Sequence, residues 1–514
     1  MASSSKVQLY KNLLMTGLAF GSYCVAAVFL TPFLLHHLGD SAYGLIPLAG
    51  LFTQYAAIIS AQLSGAINRF LVIELQKDGG NPNLIFNSAL GLYGILIVLQ
   101  IPLMVGLICS LNFFFDIPRE LYTDVVILFA CSSAAFLVSM LDSVFGLPVF
   151  AYNRLDISSS LDLSKQLLRF FGIILVFKFY GVALRYIGYI DLSLALGIFV
   201  CNLYFCRKFA PELKIDLHQI RMKILLPIFR MSFWTLLDNL GSLLFLRSDI
   251  WVINRFISAA AAGQYAAILV VGNFIKQIGL LLSRQIAPTT MTLFAQNKFA
   301  ELQQLQRQMI SMLTILTAFP VGIVLIFAPD ILNIWLDKSY IPLAFILQLT
   351  VVHLVINIGG FPLFYLYVAM NKVKLNGIVL ISAGLLNICV VYFLGVTMQW
   401  GLVGVAIGGG LILTLKNGLF TPWYGAHILH LQPMTFFYTL KNGILTLLGV
   451  TAIGWLVKTL LFNGGLIALL SCSTLIGVLG MIFVWILIFN HNDRESLMTF
   501  LPRKMQRYVK PMVF

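Results

Sequence analysis

Apolar residues run in long blocks through nearly the whole chain, broken by short polar turns. A helix needs about 20 apolar residues to cross a bilayer. On that spacing the pattern predicts about fourteen transmembrane helices. They fall near residues 12–36, 43–69, 84–111, 121–148, 158–181, 184–206, 226–256, 261–287, 306–328, 342–369, 374–397, 401–424, 437–462 and 464–490. No polar stretch between them is long enough for a separate soluble domain. The predicted fold class is an all-α polytopic membrane protein.

Polar positions inside these blocks change the picture most between Met231 and Arg284. Here two spanning segments meet at a short Ala/Gly turn. Lys276 sits well inside the second, apolar on both sides. An ammonium at mid-bilayer costs about 2.5–3.5 kcal/mol on insertion scales. Such a group must face protein or water, and Lys276 is too deep to reach the headgroups easily. Asn273, Lys276, Gln277 and Arg284 share one helical side. The preceding segment carries Asp238 and Ser242 on one stripe, with Arg247 and Asp249 near its far end. The spacing predicts the lining of an internal cavity.

Other helices add to it. The second presents Gln54, Gln62 and Arg69 on one side. The fifth presents Asp162, Lys165 and Arg169 at i, i+3 and i+7. Together with Arg247, Arg255, Lys276 and Arg284 these form a ladder of cations, which in a low-dielectric cleft would concentrate an anionic group. Arginine donates two hydrogen bonds to a phosphate at once, and lysine supplies a point charge. Some members have plainer readings. Arg69, Lys165 and Arg284 lie near helix ends and can snorkel to lipid headgroups. Lys165 can pair with Asp162 on its own helix. Asp142, Asp238 and Asp249 suit counter-ions as well as ligands. His353 reads as an interior histidine or a proton relay. The HxxH of His427 and His430 has no third metal ligand.

Hydrophobic residues are 60% of the chain and charged residues 10%, more apolar surface than a soluble protein can hide. The net charge of +14 then reflects basic cytoplasmic loops rather than nucleic-acid binding. With the N-terminus in the cytoplasm, roughly 25 of the 33 Lys and Arg fall in even-numbered loops, the helix ends beside them, and both tails. Both termini are therefore expected in the cytoplasm. The first apolar block has no cleavage site after it and reads as a retained helix. Three segments, Pro211–Lys223, Asn297–Gln308 and Arg494–Lys510, have the mixed character of surface helices. The seven cysteines lie in apolar segments without metal-type spacing, as small core residues do. No cofactor or metal is expected. The chain has no DxD, GxSxG or HExxH and no loop able to hold a catalytic domain. That weighs against a membrane-embedded glycosyltransferase or polymerase, and against an enzyme generally. The GVAIGGG run, Gly404–Gly410, follows no strand; it suits close helix contact instead of nucleotide binding.

An internal repeat is visible. The hairpin PFLLHHLGDSAYGLIPLA matches DIWVINRFISAAAAGQYAAI in its outer turn and its aromatic/Gly head. Equal steps from Gly44 and Gly263 lead to Arg69 and Pro288. The predicted organisation is an N-terminal lobe (1–210, helices 1–6), an interfacial linker helix (211–224), a C-terminal lobe (225–430, helices 7–12), two added helices (431–492) and a basic tail (493–514). Parallel repeats with a site between them are a recurrent transporter plan.

At FLTPFLLHHLGDSAYGLIPLAG with the later INRF, at the renewed hairpin from Met231, and at GLVGVAIGGG…LKNGLFTPWYGAHILH, the chain resembles the polysaccharide-transporter branch of the multidrug/oligosaccharidyl-lipid/polysaccharide exporter superfamily. These are the O-antigen and lipid-linked oligosaccharide flippases. The resemblance implies two six-helix lobes in a V around a central cavity, plus two C-terminal helices, in the bacterial inner membrane. It implies an undecaprenyl-pyrophosphate-linked oligosaccharide as cargo, an O-antigen-type or exopolysaccharide repeat unit. The cargo would pass from the cytoplasmic to the outer leaflet by alternating access. Membrane lipid and polysaccharide polymerase machinery would be partners. By the same resemblance Arg69, Lys276 and Arg284 would hold the pyrophosphate. A cation-coupled drug exporter of the same superfamily is the nearest rival. Helices one to three contain no internal Asp or Glu to serve it.

Overall fold

The computed structural model describes residues 2–76, 80–152, 154–221, 239–244 and 248–489. Among them the chain is helical and contains no strand. Hydrocarbon explains this. It offers no water to satisfy backbone N–H and C=O groups, and a helix pairs all of them within one segment. Eleven described helices are long and apolar enough to cross a membrane. Two more, α2 and α5 below, have 37 and 26 residues, which at about 1.5 Å each also exceeds about 30 Å of hydrocarbon. Large apolar side chains such as Leu103, Phe179 and Ile467 are fully turned outward, as a lipid-facing surface requires. The protein is a multi-pass membrane protein.

The chain forms two compact units. One comprises Met1–Ala267 with Leu380–Ile388; the other comprises Ile268–Val379 with Cys389–Phe514. The first contains α1 (Ala2–Leu38), α2 (Asp40–Gln76), α3 (Pro82–Cys109), α4 (Tyr122–Phe145), α5 (Leu155–Tyr180) and α6 (Arg185–Phe209). Helix α1 packs along α5, and α4 along α6. Phe86 of α3, Phe145 of α4 and Ile67 of α2 meet in its core. Gly39 ends α1 at φ 78°, a conformation that costs glycine little. The turn it makes brings the head of α2 against residues 259–263. A Cβ on Gly44 would stand 2.6 Å from the Gly263 nitrogen, and one on Gly263 would strike the Asp40 carbonyl. The two glycines that mark the internal repeat thus touch each other. Beside them Gln264 donates to the Asp40 carboxylate at 2.8 Å.

The segment after α6 corrects an expectation. Residues 211–221 form no surface α-helix but an extended run with one 3-10 turn, Leu217–Gln219. Side chains at the start of α3 hold it. Asn83 Nδ2 donates to the Glu212 carbonyl, and Asn87 Nδ2 to that of Lys214. The Lys214 and Asp216 amides donate back to the oxygens of Asn83 and Asn87, and the Arg221 amide donates to Ser88 Oγ. These side chains satisfy backbone groups that a helix would otherwise have to pair internally. The second expected surface segment, 297–308, also differs. From Phe299 on it is the first part of a 37-residue spanning helix. The third, 494–510, lies outside the described residues.

The second unit holds α7 (Ala259–Arg284) from Ile268 on, and then α8 (Phe299–Trp335). A broken span follows: α9 (Ala344–Val352), α10 (Leu354–Gly359) and α11 (Phe361–Ala369). The break falls at Gly360-Phe361-Pro362, where proline cannot extend the ladder of the preceding helix. Helices α12 (Val373–Tyr392, whose stretch Leu380–Ile388 belongs to the first unit), α13 (Gly401–Thr414) and α14 (Thr421–Ile428) come next, with a π-helical turn Leu415–Phe420 between the last two. The described chain ends with α15 (Phe437–Leu461) and α16 (Leu466–Phe483), the latter running into a π turn. Helix α8 is the centre of this unit. In its membrane window 61% of residues are buried, against 22% for α15 and α16. Helix α15 lies along α8, where Lys458 Nζ reaches Asp330 Oδ2 at 2.6 Å and the Ile326 carbonyl at 2.9 Å.

The glycine run does what its composition suggested. A Cβ at Gly404 would lie 2.6 Å from the Leu394 carbonyl group, and one at Gly408 would lie 3.3 Å from Val390 and Val391. A Gly404→Val protein should therefore lose about 1–3 kcal/mol by overpacking, read as a lower unfolding temperature in detergent. Lys458→Met, which leaves the partly buried Asp330 without its lysine, should cost about 1–3 kcal/mol, and the double change Lys458→Met/Asp330→Leu should recover most of it in the same assay.

Candidate functional site

The polar positions inside the helices fall into two groups, one in each unit. In the first, α4, α5 and α6 bring together residues from three separated stretches. Asn202 Nδ2 donates to both carboxylate oxygens of Asp142, at 2.9 and 3.0 Å. Half-buried Lys165 acts electrostatically on both Asp142 and Asp162. One turn further along α5, Arg169 makes a two-point contact with Asp191 of α6, 2.6 Å from Nε to Oδ1 and 3.2 Å from Nη2 to Oδ2. A guanidinium so placed has its charge answered within its own unit. Its geometry serves the α5–α6 contact directly. Sequence spacing put Arg169 on a ladder but did not reveal Asp191, which lies 22 residues away on another helix.

The other predicted positions of this unit divide. Gln54 is half-buried on α2. Gln62 and Arg69 lie on the same helix, at positions whose side chains are not described. Arg247 and Asp238 lie outside the described residues. Asp249, read from sequence as a counter-ion, is buried and accepts a hydrogen bond from Asn387 Nδ2 at 2.8 Å. Asn387 was not singled out in the sequence; it stands 138 positions away, and no local pattern marks the pair. Nearby, Asn254 Nδ2 donates to the Asp116 carbonyl, and the Asp116 amide donates to Asn254 Oδ1. Arg255 is exposed.

In the second unit α7 packs on α9 and α10 through small residues. A Cβ at Gly279 would meet Ile358, and one at Gly272 would touch Leu354. Lys276 is half-buried beside this seam, about two turns before Arg284 at the helix end. Its charge reaches the ring of His353, at the junction of α9 and α10. The Asn357 side-chain amide is hydrogen-bonded to His353 Nδ1 at 2.7 Å. On its other side the ring presses on α13. A Cβ at Gly410 would stand 2.8 Å from His353 Cδ2. The last glycine of the run thus makes room for the imidazole. Asn273 is half-buried on the same helix as Lys276, while Gln277 and Arg284 are exposed. Neither α7 nor the broken span α9–α11 contains an Asp or Glu. Lysine and histidine side chains on these helices are chemically suited to bind an anionic oxygen of a ligand. Among the described residues no group of His, Cys, Asp and Glu is placed to hold a metal ion.

Comparison with known proteins bears on the fold. No protein-family model matches the chain. It is 26% identical over 432 residues to the uncharacterized membrane protein EpsK of Bacillus subtilis (strain 168), covering 84% of this chain and 85% of that one. Among solved structures it is similar to the lipid II flippase MurJ in its inward closed conformation, with a TM-score of 0.69 and 13% identity over 93% of this chain and 100% of that one. It is also similar to an inward-facing multidrug-resistance MATE family transporter of the MOP superfamily, with a TM-score of 0.61 and 16% identity over 82% and 98% of the two chains. The chain therefore has the fold shared by the lipid II flippase MurJ and the MATE transporters of the MOP superfamily.

Proposed function

We propose that this protein is a flippase. Its cargo is an undecaprenyl-pyrophosphate-linked oligosaccharide, moved from the cytoplasmic to the outer leaflet of a bacterial inner membrane by alternating access. The observation that carries the reading is Lys276, half-buried midway along a spanning helix whose own sequence contains no Asp or Glu. A group so costly to insert is retained where it meets an anion, and a pyrophosphate headgroup is such an anion. The fold supports the reading at a coarser level, since a flippase and exporters share it. In this reading the chain has fourteen crossings in two six-helix lobes, with α15 and α16 as the added pair and both termini in the cytoplasm. Arg69, Lys165, Arg247 and Arg284 then extend the basic path toward the two mouths. The sugar is accommodated by polar lining such as Gln54, Gln62, Asn273 and Gln277, and Asp142 and Asp238 balance the bases.

A drug exporter of the same fold is the second reading, and Asp142 and Asp162 near Lys165 are the observation in its favour. The two readings separate in liposomes. Protein reconstituted with a fluorescent polyprenyl-pyrophosphate oligosaccharide should move it to the opposite leaflet, and a cationic drug should not compete. Lys276→Glu should lower that rate at least tenfold with the protein still folded, while Lys276→Arg should keep most of it. Unchanged transport by Lys276→Glu would remove Lys276 from the path. Arg169 is expected to behave otherwise. Arg169→Asp or Asp191→Arg alone should cost about 1–3 kcal/mol, and the exchanged pair should regain both unfolding temperature and transport.

A further inference from the structure

The second unit carries an apolar groove apart from the Lys276 seam. It runs between α13 with its π turn on one side and α15 on the other, with a volume of about 420 Å³. Leu411, Leu415 and Leu419 form one wall, and Ile444 and Leu445 the other; all are exposed. Of the lining residues only Thr414 and Lys441 have polar side chains. We propose that this groove is a binding site for one acyl chain of an anionic glycerophospholipid, with the lipid phosphate on Lys441.

Length argues for this occupant. Each wall spans eight residue steps, about 12 Å along a helix, close to the roughly 15 Å depth of one leaflet. A single acyl chain fills that depth, whereas a polyprenyl chain is several times longer. Depth argues the same way. Trp423 and Tyr438 are exposed at the end of the groove near Lys441, and such aromatics sit at the headgroup level. Lys441 follows Tyr438 by one turn, is exposed, and makes no ion pair among the described residues. From that depth its stem lies along the apolar wall and its ammonium reaches the phosphate plane. Charge selects the headgroup. No Asp or Glu occurs between Asp337 and Asp493. At the same end of the unit Tyr424 donates to the Lys372 carbonyl at 2.8 Å, which places exposed Lys372 near the mouth. An anionic headgroup meets bases there, and the acid at the start of the neighbouring α8, Glu301, is paired with Lys298 at 3.0 Å.

The test is native mass spectrometry of the full-length protein, purified with equal phosphatidylglycerol and phosphatidylethanolamine. The wild type should retain one phosphatidylglycerol at least fivefold over phosphatidylethanolamine. Lys441→Gln should abolish that preference, and Lys441→Arg should keep it. Leu415→Trp, which fills the groove, should lower retention of both lipids at least threefold. Lys441 is exposed, so its variants test the idea even if the tryptophan variant fails to fold. No preference in the wild type, a preference unchanged in Lys441→Gln, or a bound polyprenyl phosphate in place of phospholipid would each overturn the assignment. The inference does not depend on the cargo, because lipid retention is read without transport.

Discussion

The structure depends on one constraint: in hydrocarbon, a polar or charged group must find a partner within the protein or reach the membrane surface. Backbone groups meet it by forming helices, so the described chain is helical almost throughout. Side chains meet it in several ways. Arg169 is answered by Asp191, Lys458 by Asp330 and a carbonyl, Asp142 by Asn202, and Asp249 by Asn387. The first joins the consecutive helices α5 and α6, and the other three join helices that are not neighbours along the chain. The partners that satisfy these groups therefore also fix which helices lie together.

Small residues are the second half of the same economy. Lipid tails are as apolar as leucine, so helices in a membrane associate through close packing and polar contacts instead of by escape from water. Gly408 seats α13 against α12 and Gly404 seats it against Leu394 just after α12, and Gly272 and Gly279 seat α7 against α9 and α10. Where a glycine faces a side chain instead of a backbone, it makes space for chemistry. Gly410 admits the His353 ring, and that ring brings an imidazole within reach of Lys276. The glycine run is thus part of the same construction as the basic seam.

Much of this was legible from the pattern of apolar blocks. The helical class, most of the crossings and the depth of Lys276 follow from segment length and the cost of a buried ammonium, which are local quantities. Gly44 and Gly263 could be singled out in the sequence too, although nothing local indicated that the two glycines press on each other. The linker shows where local reading fails. Its amphipathic spacing favours a surface helix, but Asn83, Asn87 and Ser88 offer its backbone other partners, and those residues lie about 130 positions upstream.

The sequence by itself determined that this is a helical, multi-pass, basic membrane protein, because hydropathy and charge are sums over neighbouring residues. Only the tertiary structure showed which acid answers Arg169, because Asp191 lies on the next helix. Arg169 and Lys276 look alike in sequence, each a cation on a polar helical stripe. For Arg169 the difference is made by α6, which presents Asp191 to it. Charge compensation acts over a few ångströms between segments distant in the chain, and spacing along one helix carries no record of it.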